Sequence, residues 1–257
     1  MKSNRIMWGI VSLVVLITVA VSFGAFESNG REDSLLQSKV TPTATPWPVV
    51  KDTRDLSKYG SVEYTKAPED LSAARILANK RHDDKEWVYS TINNPETGGV
   101  GRITDNPLPP LFPTDESTLI VVGEVVTVKA FLSNDKRCVY TEFTIRVDDV
   151  LKNSDSSGKS RPKKVTADRD GGVVIYPGGQ RVMYQDSDIG LPGLGSKYLF
   201  FLKKDDESPN YAIITSYDIT DARAVPVENI PSFEEFKDLD KAAFLDKVRN
   251  KITRPPN

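Results

Sequence analysis

The chain has 257 residues, 34 of them basic and 36 acidic, with a formal net charge of −2, one histidine and one cysteine. That length allows one or two domains with a sizeable core, and the near-neutral balance excludes a strongly basic nucleic-acid-binding domain. With only His82 and Cys138 available, a zinc site ligated by Cys and His alone, an iron–sulfur cluster and an intramolecular disulfide are excluded within one copy, and a Cys–His dyad would require the two singletons to meet.

The first element is apolar. Ile6 to Phe26 carries no charge and follows Lys2 and Arg5; as a helix it would be about 30 Å long, the thickness of a bilayer's hydrocarbon core. It is longer than the apolar core of a cleavable signal, so a transmembrane signal-anchor helix is expected at 6–26 with a cytoplasmic 1–5. Cleavage stays open as the alternative, because Ala20-Val21-Ser22 and Ser22-Phe23-Gly24 place small residues suitably. Basic residues on the short side and Glu27, Glu32 and Asp33 on the long side orient residues 27–257 outside. Setting Lys2 and Arg5 aside leaves 32 basic and 36 acidic residues there, a net charge of −4.

Residues 27–52 read as a tether, since Thr41-Pro42-Thr43-Ala44-Thr45-Pro46-Trp47-Pro48 suits neither a helix nor a central strand. Residues 53–116 read as an N-terminal elaboration packed on the main domain. Pro68-Glu69-Asp70 before Leu71, Ala74, Ile76, Leu77 and Ala78 predicts a short helix, ended by a solvated charge cluster, Lys80-Arg81-His82-Asp83-Asp84-Lys85. Glu86 to Ile92 suits a strand, and 106–113 is a proline-rich connector.

The main domain, 117–257, is mostly strand. Thr118 to Leu132 is a long β-rich run with Gly123 marking a bulge or sharp coil. Tyr140 to Leu151 alternates, with Phe143, Ile145 and Val147 on one face and Glu142, Thr144, Arg146 and Asp148 on the other. Further strands are expected at 164–168, 173–176, 180–184, 198–202 and 211–217. The continuously apolar Tyr198–Leu202 stretch reads as a central strand. A helix follows, from a capping box at Ser232–Glu235 through Phe236, Leu239, Phe244, Leu245, Val248 and Ile252. The expected fold is therefore mainly β, a small antiparallel OB-like barrel closed by a C-terminal helix and preceded by the membrane helix.

The string LIVVGEVVTV, then YTEFTIRVDDVLKN, the pair Gly171-Gly172, GSKYLFFL and a closing helix resemble a group of uncharacterised exported bacterial proteins. Their domain is similar to the netrin-like, OB-type domain of tissue metalloproteinase inhibitors. The likeness covers about residues 117–217 and implies a fold. The inhibitors' metal-chelating N-terminal cysteine and disulfide-stapled edge have no counterpart here, so their mechanism does not carry over.

Chemical motifs are few. Gly190–Lys197 is near a P-loop in composition, but a strand follows it where a phosphate-cradling helix would be needed. The acidic loops at Asp186–Gly190 and Asn153–Gly158 have Lys197 and Lys164 where an EF-hand needs its glutamate. No cofactor and no metal are expected. Glu142, Asp148 and Asp149 could supply a carboxylate pair for a hydrolase, and His82 is expected to be solvated. Five tyrosines, Tyr140, Tyr176, Tyr184, Tyr211 and Tyr217, could line a ligand face. The expectation is a membrane-tethered, non-enzymatic binding or envelope-associated module. Its partners are the bilayer through 6–26 and an envelope protein, peptide or glycan, with no nucleic acid; a carboxylate hydrolase or a structural spacer is the alternative.

Overall fold

Two long alternating segments form the frame. β2 (Leu119–Leu132) and β3 (Val139–Asn153) pair antiparallel along their length. β3 pairs with β4 (Lys164–Asp170), and β4 lies parallel to β8 (Tyr211–Asp218) through Ala167 and Asp168. β8 pairs antiparallel with β7 (Lys197–Lys204), which returns to the first half of β2 and closes a ring of five strands. The computed structural model describes residues 55–64, 72–85, 109–154, 161–186, 188–204, 208–230, 232–233 and 239–253. The expected membrane helix, the tether, the strand at 86–92 and residues 106–108 of the proline-rich connector lie outside these residues. Among the described residues, no helix is long and apolar enough to cross a membrane.

A ring closes only if its strands coil, and β2, paired with β3 along its length but with β7 only from Leu119 to Glu124, carries register shifts along it. Gly123 sits at a register shift in β2, and a Cβ there would lie 2.6 Å from the Arg146 carbonyl oxygen and from Ile145 Cγ2. The bulge expected at this glycine is present, and the close approach explains why a side chain is missing. Gly171 and Gly172 (φ +117° and +151°) turn the chain out of the ring. It passes into β5 (Gly172–Ile175), which pairs with β6 (Arg181–Tyr184) and, in parallel, with β1 (Ser61–Glu63).

The alternation of β3 is the two-sided environment it encodes. Phe143 and Ile145 point into the ring with Val121, Val125, Val165, Ala167, Phe200 and Leu202. The Tyr198–Leu202 stretch of β7 is apolar throughout because both its faces are buried. Phe200 and Leu202 face inward, while Leu199 and Phe201 face Tyr217, Phe233, Phe244 and Val248 outside the ring. The last two belong to α2 (Lys241–Thr253), so the closing helix covers the outer face of β7 and β8.

That helix begins later than the Ser232 capping box implied. Leu239–Asp240 form a two-residue strand, β10, on β9 (Arg223–Pro226), and Asp240 Oδ1 accepts from the Ala242 and Ala243 amides. A carboxylate receiving the free amides of the first turn starts a helix there. Residues 234–238 lie outside the described set. A buried ion pair, Arg169 to Glu228 at 2.8 Å, ties β4 to the segment after β9. The Arg169 guanidinium also donates to the Gly190 and Ile214 carbonyls, and Glu228 accepts from the Ser216 amide.

Candidate functional site

Because successive strand residues face opposite sides, Tyr140, Glu142, Asp168 and Asp170 point out of the ring from β3 and β4. The register sets Tyr140 opposite Asp170 and Glu142 opposite Asp168. Three carboxylates are thus gathered on one outward patch, a repulsive arrangement unless cations neutralise it.

Residues 72–85 supply them. α1 (Ala73–Lys80) starts at Ser72, whose Oγ accepts from the Arg75 amide. Arg75 makes a bidentate pair with Glu142, at 2.6 and 3.1 Å, lies 3.6 Å over the Phe131 ring and donates to the Tyr140 hydroxyl. Asn210 donates to the same Glu142 carboxylate. Arg81 pairs with Asp168, and Lys85 Nζ lies 2.8 Å from Asp170 Oδ2. Asp83 accepts from the Asn134 amide and side chain at the tip of the β2–β3 hairpin. The buried side of α1 is therefore polar, Arg75 and Asn79 with Ala78, whereas the apolar Ile76 and Leu77 are exposed.

His82 is the centre of the patch. It is 2% exposed, which corrects the expectation of a solvated histidine. Its ring stacks on Tyr140, Nδ1 lies 2.5 Å from Asp170 Oδ1, and Nε2 lies 3.4 Å from Asp168 Oδ1. Carboxylates only accept, so both ring nitrogens face groups that favour a proton. Burial pulls the imidazole pKa down, but Asp168 and Asp170 outweigh it and the net shift is upward. The protein packed around Asp170 would raise its carboxyl, yet His82 and Lys85 hold it well below the usual range. Cys138, at the start of the same hairpin arm, lies 3.9 Å from Asp170 through Sγ, and burial pushes its thiol pKa well up. The two singletons do meet. The thiol is not activated as a nucleophile, since that requires a lowered pKa and an electropositive, accessible setting.

No protein-family model and no curated protein matches this chain. What the site can do therefore rests on its own geometry. Glu142 and Asp168 are neighbouring carboxylates, but each is fixed by a guanidinium beneath the 72–85 segment. Acid–base hydrolysis needs one carboxyl held protonated beside an ionised one. Asp148 and Asp149 sit elsewhere, paired with Lys197 and with Arg161 and Arg249.

The five tyrosines are not brought together. Tyr217 is fully buried under α2 and donates to the Leu111 carbonyl; Tyr140 lies beneath His82 and donates to Asn79. Tyr184 is buried, with its hydroxyl 2.5 Å from that of the half-buried Tyr176 on the small sheet. Tyr211 is half-buried at the β8 edge, with Lys204 Nζ 5.0 Å from its ring. Of the five, Tyr140, Tyr184 and Tyr217 are buried. The residues that sequence reasoning missed are Arg75, Arg81, Lys85, Asp168 and Asp170. Their only sequence signal is Asp168-x-Asp170 on one strand face, matched by a basic run.

Proposed function

We propose that this protein is a membrane-tethered, extracytoplasmic binding module without catalytic activity, built on an OB-like barrel that binds a basic peptide segment of an envelope protein. The membrane and orientation parts rest on the uncharged run 6–26 and its flanking charges. The OB-like part is supported by five strands closing into one ring around a first strand bent at a glycine. The netrin-like likeness is retained only as a statement of fold.

One observation carries the ligand class. OB barrels take ligands on the face of their second and third strands, beside the loop joining the first two. Here that face is β3–β4, and the neighbouring loop is the hairpin tip at Asn134. The face presents Glu142, Asp168 and Asp170, and it is filled by Arg75, Arg81, His82 and Lys85 of the chain itself. A surface that holds a basic helix–turn segment by charge has the chemistry to hold another. The same acidity disfavours nucleic acid. A carboxylate hydrolase is the weaker reading because its acids are neutralised beneath that segment, and a plain spacer has no need of the charged network.

The test uses full-length protein in detergent micelles. Fluorescent Lys/Arg-rich and Asp/Glu-rich peptides of equal length are titrated at low and high salt. Salt-sensitive binding of the basic peptide, weakened in Glu142→Gln, is expected. Equal binding of both peptides, or none of either, would overturn the reading.

A further inference from the structure

We infer that His82, Cys138 and Asp170 form a zinc site that fastens the 72–85 segment to the barrel. One ligand atom from each residue, an imidazole nitrogen of His82, Cys138 Sγ and a carboxylate oxygen of Asp170, lies within 4.8 Å of the other two. Bonds of about 2.0–2.3 Å to a tetrahedral ion separate neighbouring ligands by roughly 3.3–3.7 Å. The present separations, 2.5 Å from histidine to aspartate and 3.9 Å from cysteine to aspartate, bracket that range. Shifts of about 1 Å would therefore open the cage around an ion.

The surroundings are those a metal-bound histidine requires. An imidazole that binds metal through one nitrogen donates its other N–H to a carboxylate, which fixes the ring. Nε2 of His82 faces Asp168 at 3.4 Å, and the Tyr140 ring beneath sets the plane. Nε2 and Asp168 Oδ2 are both buried and have no hydrogen-bond partner among the described residues. Drawing Nδ1 onto an ion and tilting the ring toward Asp168 would satisfy the first of these.

The donor set points to the ion. One thiolate, one imidazole and one carboxylate suit borderline-soft Zn²⁺, and oxygen-seeking Mg²⁺ or Ca²⁺ would reject the sulfur. Binding breaks the Cys138 S–H and His82 Nδ1–H bonds, releases both protons to solvent, and forms Zn–S, Zn–N and Zn–O bonds. Water takes the fourth position. Asp170 is 46% exposed and its Lys85 partner 42%, so the ammonium can swing aside and leave an entry path.

The experiment titrates metal-free full-length protein in detergent with Co²⁺ as the probe, followed by Zn²⁺ in competition. Because Cys138 is the single cysteine of the chain, a thiolate-to-cobalt charge-transfer band reports this site alone. The expected result is one equivalent of Co²⁺, tetrahedral-type visible bands and the charge-transfer band, all abolished by Zn²⁺. Cys138→Ser removes the charge-transfer band, and Asp168→Asn, which leaves all three ligands in place, weakens Co²⁺ affinity about 10–100-fold. Absence of the band in the wild-type protein, or its persistence in Cys138→Ser, would overturn the inference. Should Cys138→Ser fail to fold, Asp170→Asn serves instead, and unchanged Co²⁺ affinity in it would overturn the inference equally.

Discussion

His82 lies flat on Tyr140, with ring centroids 3.9 Å apart and planes 8° from parallel. Through that contact the sole histidine of the chain is held between two aspartates of β4 and seals the polar joint between α1 and the barrel. Replacing it removes a cation from between two carboxylates as well as a stacked ring. His82→Ala should destabilise metal-free protein by about 1–3 kcal/mol, reduced from the fully buried case because Asp170 is partly solvated. Urea denaturation read by near-ultraviolet circular dichroism would measure it.

The two aspartates around His82 make stability depend on pH. His82 has a folded pKa raised above its ordinary 6.5, so its contribution is fully present below pH 6.5. It is lost as pH rises through the folded value. Asp170 is lowered below its ordinary 3.8, so its contribution is present above that value and fades only in strong acid. Metal-free protein should therefore be most stable between the two ordinary values. Denaturation midpoints should fall as pH climbs past neutrality, and the fall should flatten in His82→Asn. A midpoint that rises with pH in the wild-type protein would contradict the assignment.

Glu228 tests the other buried charge. It is 0% exposed at the side chain, its partner Arg169 5%, and its loss strands a guanidinium and the Ser216 amide. Glu228→Ala should cost about 3–5 kcal/mol of stability. Glu228→Gln should cost less, because it still accepts from that amide. Chemical denaturation of both variants beside wild type decides the order.

Ring closure depends on Gly123. A methyl group there meets a backbone carbonyl at 2.6 Å, which cannot turn away as a flexible side chain could. Gly123→Ala should destabilise by about 1–3 kcal/mol. The neighbouring Glu124→Ala, on a strand position paired with the exposed Arg146, should change the melting temperature little.

The strands were legible because burial leaves a period. Phe143 and Ile145 alternate with polar neighbours since one face meets the core, and Tyr198–Leu202 is apolar throughout since both faces do. Gly123 was legible for the same reason, a residue without a side chain where a strand must bend. The joint at His82 was not. Its carboxylates come together only through the register that puts Tyr140 opposite Asp170, and Lys80–Lys85 has the composition of a solvated helix end. His82 is buried, and Arg81 beside it half-buried, because complementary charge waits for them 80-odd residues away, which local periodicity cannot encode. β1 was missed because a three-residue parallel pairing leaves no period at all.

The central claim is that the acidic β3–β4 face binds basic peptide and that residues 72–85 occupy it as an intramolecular competitor. The most direct measurement is the affinity of full-length protein for a Lys/Arg-rich peptide, compared between wild type and Arg75→Ala/Arg81→Ala. Removing the competitor's two guanidinium groups should raise affinity about tenfold or more while the barrel stays folded by circular dichroism. Unchanged or weaker binding in the folded double variant would contradict the account.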